Sequence, residues 1–202
     1  MNVGIYAAVT AQTSAERELE SISANLANLQ TTGFKRQGTA TESFDKVLRG
    51  RMNRQVQTRR TTDFTQGEFE PTGRHTDLAL RGEGFFAVET PTGEAYTRNG
   101  RLMLDEAGVL QTFEGYPLAW EEGAAEIDPR GAELSVDAEG RVRQGEQTIG
   151  LLAIKNFANP AALSTDGIGY LRFEQGSTVE APANAEVFQG VVERANVDRS
   201  SR

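Results

Sequence analysis

The sequence predicts a mainly β protein with one N-terminal α-helix. We expect a small distorted β-barrel or sheet domain on an extended connector, preceded by a terminal helix of the coiled-coil type. Two observations predict this fold: apolar residues recur as heptads near the start, and from residue 76 short apolar runs alternate with regularly spaced glycines. The expected segments are a helix over 1–30, an extended polar connector over 31–75, a β domain over 76–180 and a return segment over 181–202.

Residues 3–29 predict a single helix, because they contain no proline and their only glycine is Gly4. Asn2 is placed to cap its start, and Thr31, Thr32 and Gly33 follow its end. Its apolar positions form the a/d seam of a coiled coil, interrupted by one glutamine. We call these eight positions the helix seam: Ile5, Ala8, Gln12, Ala15, Leu19, Ile22, Leu26 and Leu29.

An isolated helix of this length is marginally stable in water, so the helix seam needs a partner. The rest of the chain offers no second long helix. We therefore expect the seam to be buried against other subunits, while packing on the same chain stays open as the alternative.

Residues 31–75 are rich in Gln, Thr and Arg and show no clear periodicity, which predicts extended chain that can include short strands. Within the β domain, glycines at 93, 108 and 140 indicate turns. Asn99-Gly100 is the dipeptide that a type I′ hairpin turn prefers. Residues 148–157 predict one longer buried strand.

The chain carries a net charge of −8. Residues 31–62 hold eight basic and two acidic side chains, whereas residues 76–202 hold 11 basic and 21 acidic ones. Such opposite-sign regions fit contacts between copies, and equally an ordinary solvated surface. An acidic chain repels nucleic acid and anionic lipid, so we expect neither as a partner. No apolar run is long enough for membrane insertion, and the start does not resemble a cleaved secretion signal.

No pattern predicts catalysis, a cofactor or a metal. Residues 82–87 match the G-x-G-x-x-A nucleotide fingerprint, but strand-like residues follow where that fingerprint needs a helix. His75 is the only histidine and there is no cysteine, so neither a zinc site nor a thiol nucleophile can be assembled. The acidic pairs at 105–106 and 121–122 would point to opposite faces of a strand, which does not suit glycoside hydrolysis.

Ordered motifs cover most of the chain. One ends the helix, another opens the β domain and the last lies near the C-terminus. Their residues are Asn25, Leu26, Asn28, Gly33, Phe34, Asp77, Gly82, Gly84, Phe85, Phe86, Gly190, Glu193, Asn196 and Val197. These motifs resemble those of the flagellar basal-body rod protein family, which comprises the rod and hook axial proteins. Tyr96 to Gly100 and Asp105 to Gly108 follow in that family's order, and Val192 and Ala195 stand in place of its usual Leu and Ser.

The resemblance implies a structural, non-enzymatic subunit that polymerises through its terminal helix to transmit torque. The run Gly4-Ile5-Tyr6 and the short spacing to Asp77 are most similar to proximal-rod members, with distal-rod or hook-type members as the alternative. A second alternative is a non-catalytic β-rich binding module. The implied partners are other flagellar rod proteins, copies of the chain and the flagellar type III export apparatus, and the implied location is the periplasmic rod.

In that family a second heptad helix follows the last motif, whereas this sequence stops at Arg202. We therefore expect either a truncated form or a helix seam that pairs only with other chains.

Overall fold

The structure, a computed structural model, describes residues 3–48, 51–123, 126–160, 163–165, 169–173, 178–180 and 184–197. It confirms a mainly β fold with one N-terminal helix. The elements in chain order are α1 (Val3–Ala27), β1 (Gln37–Leu48), β2 (Arg51–Thr62), β3 (Phe69–Pro71), β4 (Leu78–Arg81), β5 (Phe85–Thr90), β6 (Gly93–Thr97), β7 (Leu102–Leu104), β8 (Leu110–Thr112), β9 (Trp120–Gly123), β10 (Leu134–Val136), β11 (Arg141–Gln144), β12 (Gln147–Leu152), β13 (Ile154–Phe157), β14 (Ser164–Thr165), β15 (Leu171–Arg172), β16 (Val179–Glu180), β17 (Glu186–Gln189) and β18 (Val191–Glu193).

The helix α1 ends two residues before the predicted position, in a polar turn. The Asn28 side chain donates to the Ala24 carbonyl at 2.9 Å and accepts a hydrogen bond from the Thr31 hydroxyl at 3.0 Å. Gly33 then takes a positive φ of 68°, which favours glycine and directs the chain away from the helix axis. The predicted cap, Asn2, lies outside the described residues.

The segment predicted as an extended connector contains a long antiparallel hairpin, whose strands are longer than the short strands expected there. Strands β1 and β2 each have 12 residues and pair throughout, from Gln37 opposite Thr62 to Leu48 opposite Arg51. The two strands contain several β-branched threonines and no proline, which suits strand pairing. They lack the alternation of apolar and polar residues that marks a half-buried strand, so no pattern in the sequence indicated them.

The β domain is built around β5, which lies inside a six-stranded sheet of order β14-β15-β6-β5-β13-β16. Its first four residues, 85–88, are all buried, and alternate side chains enter different hydrophobic clusters. Phe86 and Val88 pack into the larger cluster, whereas Phe85 and Ala87 pack into the smaller one. A four-stranded sheet, of order β10-β11-β12-β9, and the β7–β8 pair surround the larger cluster.

The turns at Gly93, Gly108 and Gly140 join paired strands, as predicted. Asn99-Gly100 does not form a hairpin turn, because β6 and β7 pair with other strands. Gly100 is needed there for close approach: its carbonyl accepts from the Leu78 amide at 2.8 Å, and an added Cβ would lie 1.7 Å from the Leu78 carbonyl oxygen. The strand predicted over 148–157 is divided at Ala153 into β12 and β13, which join different sheets.

The segment predicted as a return segment contributes two strands, β17 and β18, to the β structure. Strand β17 pairs with β4, and β18 pairs with β3, a strand from the segment predicted as connector. Val187 and Val192 from these strands are buried. Pairing partners more than 100 residues apart leave no local signal in the sequence. The four-segment division itself remains a prediction.

Within the part of the chain that the structure describes, no helix is long and apolar enough to cross a bilayer.

We expect a chain ending after residue 185 to melt about 6–24 °C below one ending after residue 197. The shorter chain loses two buried valines, each contributing roughly 1.5–3 kcal/mol, and 1 kcal/mol shifts the melting temperature by about 2–4 °C in a domain of this size. Differential scanning calorimetry of the two chains measures the change. Equal melting temperatures would mean that β17 and β18 are not integral to the fold.

Candidate functional site

The helix seam is exposed along the second half of α1. Leu19, Ile22 and Leu26 are 66%, 54% and 68% exposed, although each is a large aliphatic side chain. Gln12 and Ala15 are exposed too, and Leu29 is half-buried. The side chains of Ile5 and Ala8 lie outside the described part of the structure. The described seam is therefore an apolar stripe without a cover on its own chain.

A different, polar side of α1 packs against the β1–β2 hairpin, so the alternative of packing on the same chain holds for this side of the helix, whereas Leu19, Ile22 and Leu26 of the seam stay exposed. Glu20 forms an ion pair with Arg60 of β2 at 2.7 Å, and Ser21 is buried. Asn25 makes two hydrogen bonds to Gln37 at the start of β1: its Nδ2 donates to the carbonyl at 2.7 Å, and its Oδ1 accepts from the amide at 2.8 Å. The hairpin holds the helix by polar contacts and leaves the seam open.

Three distant parts of the chain meet in a buried site that we call the motif junction: residues 33–36, Arg98 and residues 193–196. The Glu193 carboxylate is completely buried at its centre. Its Oε1 accepts hydrogen bonds from Lys35 Nζ at 2.7 Å and from the Gly67 amide at 2.8 Å. Its Oε2 lies 3.6 Å from Arg98 Nη1. One anion thus holds two buried cations from distant parts of the chain.

Arg98 connects the motif junction to the segment that opens the β domain. Its Nη1 donates to the Leu80 carbonyl at 3.1 Å, and its Nη2 donates to the Gly82 carbonyl at 2.6 Å. Its guanidinium carbon lies 5.2 Å from the centre of the Phe85 ring. The backbone of Arg98 also approaches Gly33 so closely that an added Cβ would lie 2.3 Å from the Arg98 carbonyl carbon. Gly33 is therefore required for both its φ and this contact.

Asn196 closes the junction from the C-terminal side. Its Oδ1 accepts from the Arg36 amide at 2.7 Å, and its Nδ2 donates to the carbonyls of Asp63 and Thr65 at 2.8 and 2.9 Å. The Gly33 amide donates to the Glu193 carbonyl at 2.7 Å. The N-terminal and C-terminal segments are therefore linked by side-chain amides and by backbone.

Burial controls the electrostatics of the junction. Burial lowers the pKa of Lys35, and the adjacent Glu193 carboxylate opposes that shift. Burial lowers the pKa of Arg98 in the same way, again opposed by Glu193. Because a guanidinium keeps its proton in proteins, Arg98 requires this carboxylate to offset the loss of hydration. The junction is suited to holding chain segments together, because Lys35, Arg98 and Glu193 are each no more than 6% exposed.

The remaining motif residues have packing roles. Phe34, Phe85 and Phe86 are buried, and Gly82 supplies the carbonyl that Arg98 binds. Asp77 is fully buried, and its Oδ1 lies 3.8 Å from Arg74 Nε. The backbone carbonyl of Asp77 accepts a hydrogen bond from the Gly190 amide at 2.8 Å. Gly84 and Gly190 have positive φ, and Val197 is half-buried.

Sequence reasoning missed the role of Arg98. Arg98 lies within the motif Tyr96 to Gly100, but its partner Glu193 is 95 positions away along the chain, so the sequence does not indicate their pairing.

The patterns discounted in the sequence are also poorly placed for chemistry. The residues after Gly84 form β5 instead of the helix that a nucleotide fingerprint needs. His75 is exposed and lies 3.1 Å from Glu133. Among the described residues, no cluster of three or more His, Cys, Asp or Glu side chains could hold a metal ion.

Comparisons with known proteins agree with the motifs. Residues 5–35 match the family model described as flagella basal body rod protein, and residues 79–144 match the one described as flagellar hook protein FlgE/F/G D1 domain. The chain is similar to the flagellar basal-body rod protein FlgF of Mesorhizobium japonicum and of Caulobacter vibrioides, with 30% and 31% identity over 98% of this chain and 83% of each relative. It is also similar to the rod protein FlgG of Buchnera aphidicola, with 32% identity over 88% of this chain and 78% of the relative.

We expect Glu193→Gln to lower the free energy of unfolding by about 3 kcal/mol, because it leaves two buried cations without an anion. Urea denaturation of the full chain measures this. The matched control is Glu186→Gln, which removes the same charge from an exposed carboxylate 3.5 Å from Arg81 and should cost no more than about 1 kcal/mol. Similar costs for the two variants would contradict the role assigned to Glu193.

Proposed function

This chain belongs to the flagellar basal-body rod protein family, and we propose that it is a structural subunit of the rod that polymerises through the helix seam. The observation that carries the proposal is the exposure of Leu19, Ile22 and Leu26 on a helix whose polar side is already held by its own chain. Burying such aliphatic side chains is worth roughly 1.5–3 kcal/mol each. Association is the available way for the chain to gain that free energy.

The second part of the proposal concerns load. A rod subunit that transmits torque needs a firm connection between the helix that packs in the tube and the β domain outside it. The motif junction supplies that connection, because Glu193, Lys35 and Arg98 join both chain ends to the β domain in a buried site. Force applied to α1 would pass through Asn25 and the junction into the β domain.

We assign the chain to the proximal rod, since FlgF-named relatives align over nearly its full length. A distal-rod position is the alternative that the FlgG-named relatives favour. Its partners in this proposal are other rod proteins and copies of itself. Export through the flagellar type III apparatus, without a cleaved signal, would bring it to the periplasmic part of the basal body.

A structural role implies that the chain is not an enzyme. The remaining alternative is a β-rich binding module, which would not need the N-terminal helix for its function. Such a module would retain its binding after removal of residues 1–30, whereas a rod subunit would lose assembly.

We expect Ile22→Asp to abolish rod assembly and swimming while leaving the melting temperature of the soluble protein within about 2 °C of the parent's. The variant loses the apolar contact and would bury an unpaired charge between subunits. Swimming assays, purified basal bodies and calorimetry of the soluble protein measure the three effects.

The matched control is Ser23→Asp, which places the same charge at the next exposed position, outside the seam. It should be clearly milder. Motile cells carrying Ile22→Asp would refute assembly through the seam.

A further inference from the structure

The β1–β2 hairpin has a free edge along β2. Among the described strands, β1 is the only sheet neighbour of β2, although β2 is 12 residues long. The outer edge of β1 begins beside α1, where the Asn25 side chain binds both the amide and the carbonyl of Gln37. The edge of β2 is therefore the one that can accept a further strand, since an edge strand presents a row of unpaired amides and carbonyls.

The register shows which residues of β2 direct their main-chain groups to this free edge. In an antiparallel pair, two opposite residues direct their amides and carbonyls either toward each other or both outward. Gln37 directs both groups outward, to Asn25, and it lies opposite Thr62. Every second residue back along β2 from Thr62 shares this orientation, including Thr58, which lies opposite Thr41. The amide of Thr58 therefore faces the free edge and not β1.

A second edge strand, β9, carries the opposite charge. It is the outer strand of the four-stranded sheet, with β12 as its only described neighbour. β9 contains two glutamates and no basic residue, and its last three residues are exposed. Glu121 pairs with Lys155, whereas Glu122 has no basic partner among the described residues. β2, in contrast, contains four arginines and no acidic residue, and the described side chain of Arg59 is exposed.

Charge decides which of these edges suit each other in two copies of the chain. Two β2 strands side by side would bring arginines together, and two β9 strands would bring glutamates together, which destabilises a sheet. A β2 strand beside a β9 strand brings opposite charges together, so the charges favour the unlike pair over both symmetric ones. The other edge of the four-stranded sheet, β10, is closed, because Gln189 accepts from the Val136 amide at 3.1 Å and donates to the Leu134 carbonyl at 2.7 Å.

We propose that β2 of one copy of this chain pairs edge to edge with β9 of a second copy, so that the hairpin extends the four-stranded sheet. Main-chain hydrogen bonds hold the two strands together, and the arginines of β2 lie beside the Glu122 edge. Within one molecule the two strands do not meet, because β2 pairs with β1 and β9 pairs with β12. After pairing, each copy still offers one free edge of each kind, so the contact propagates from copy to copy.

This inference deepens the proposed function, because it rests on copies of the chain being partners and adds a contact between them outside the helix seam. No residue of the seam takes part in it. Edge pairing can therefore fail while assembly through the seam holds, and the reverse is also true.

The test uses the full chain carrying Ile22→Asp, so that the helix seam does not contribute. Sedimentation equilibrium at concentrations up to about 1 mM, which detects weak contacts, should show association beyond a dimer. Adding Thr58→Pro removes an amide that faces the free edge and should weaken association about tenfold or more. Thr41→Pro is the matched control, because it places proline directly opposite, on the edge of β1, and it should associate like the parent.

A charge reversal tests the other strand. Glu122→Lys makes the β9 edge basic and should also weaken association about tenfold or more. Glu146→Lys is its control: Glu146 is an exposed carboxylate of the same sheet, in the turn between β11 and β12, and lies outside β9. This control should associate like the parent.

Mixing separates this contact from a symmetric one. The Thr58→Pro chain keeps its β9 edge and the Glu122→Lys chain keeps its β2 edge, so an equimolar mixture should form one-to-one dimers and nothing larger. Calorimetry confirms that each variant folds, and Arg59→Glu replaces Thr58→Pro if the proline lowers the melting temperature. A parent that stays monomeric, a Thr58→Pro chain that associates like the parent, or a mixture with no more dimer than either chain alone would overturn the proposal.

Discussion

Neutralisation of two buried cations by one buried carboxylate is the interaction on which the rest of the structure depends. Lys35 follows the helix and Arg98 lies in the β domain, while Glu193 comes from β18. None of the three could be buried alone without a cost of several kcal/mol. Because their charges must meet, the chain ends are brought to one place, and the direction in which α1 leaves the β domain is set there.

The exposed seam follows from that arrangement. The hairpin holds the polar side of α1 through Asn25 and Glu20, and the side bearing Leu19 and Ile22 faces solvent. A helix with both sides covered by its own chain would be more stable in isolation, but it would have no exposed apolar surface to bury against a neighbouring subunit. The monomer keeps an apolar stripe exposed, and burying this stripe against a neighbouring subunit would contribute favourable free energy to assembly.

Local patterns in the sequence predicted the elements whose signal is local. The heptad predicted α1 to within two residues, and glycines at 93, 108 and 140 predicted the turns that join neighbouring strands. Non-local pairing was missed. Nothing near β17 or β18 indicates pairing with strands more than 100 positions earlier, and the β1–β2 hairpin carries no apolar alternation. Asn99-Gly100 gave a wrong prediction of a hairpin turn, because a close backbone contact also requires glycine, and that contact is what Gly100 makes. The motif residues were found by resemblance, but their convergence on Glu193 became visible only in three dimensions.

Amide hydrogen exchange in the free monomer tests most directly whether the junction joins the helix to the β domain. The informative amides are those of Gly33, Arg36 and Gln37, which donate to Glu193, Asn196 and Asn25. We expect them to exchange with an opening free energy close to that of the β5 amides, because the junction should open only with the domain. Fast exchange at all three amides, with β5 still protected, would show that the helix end moves independently and would contradict this account.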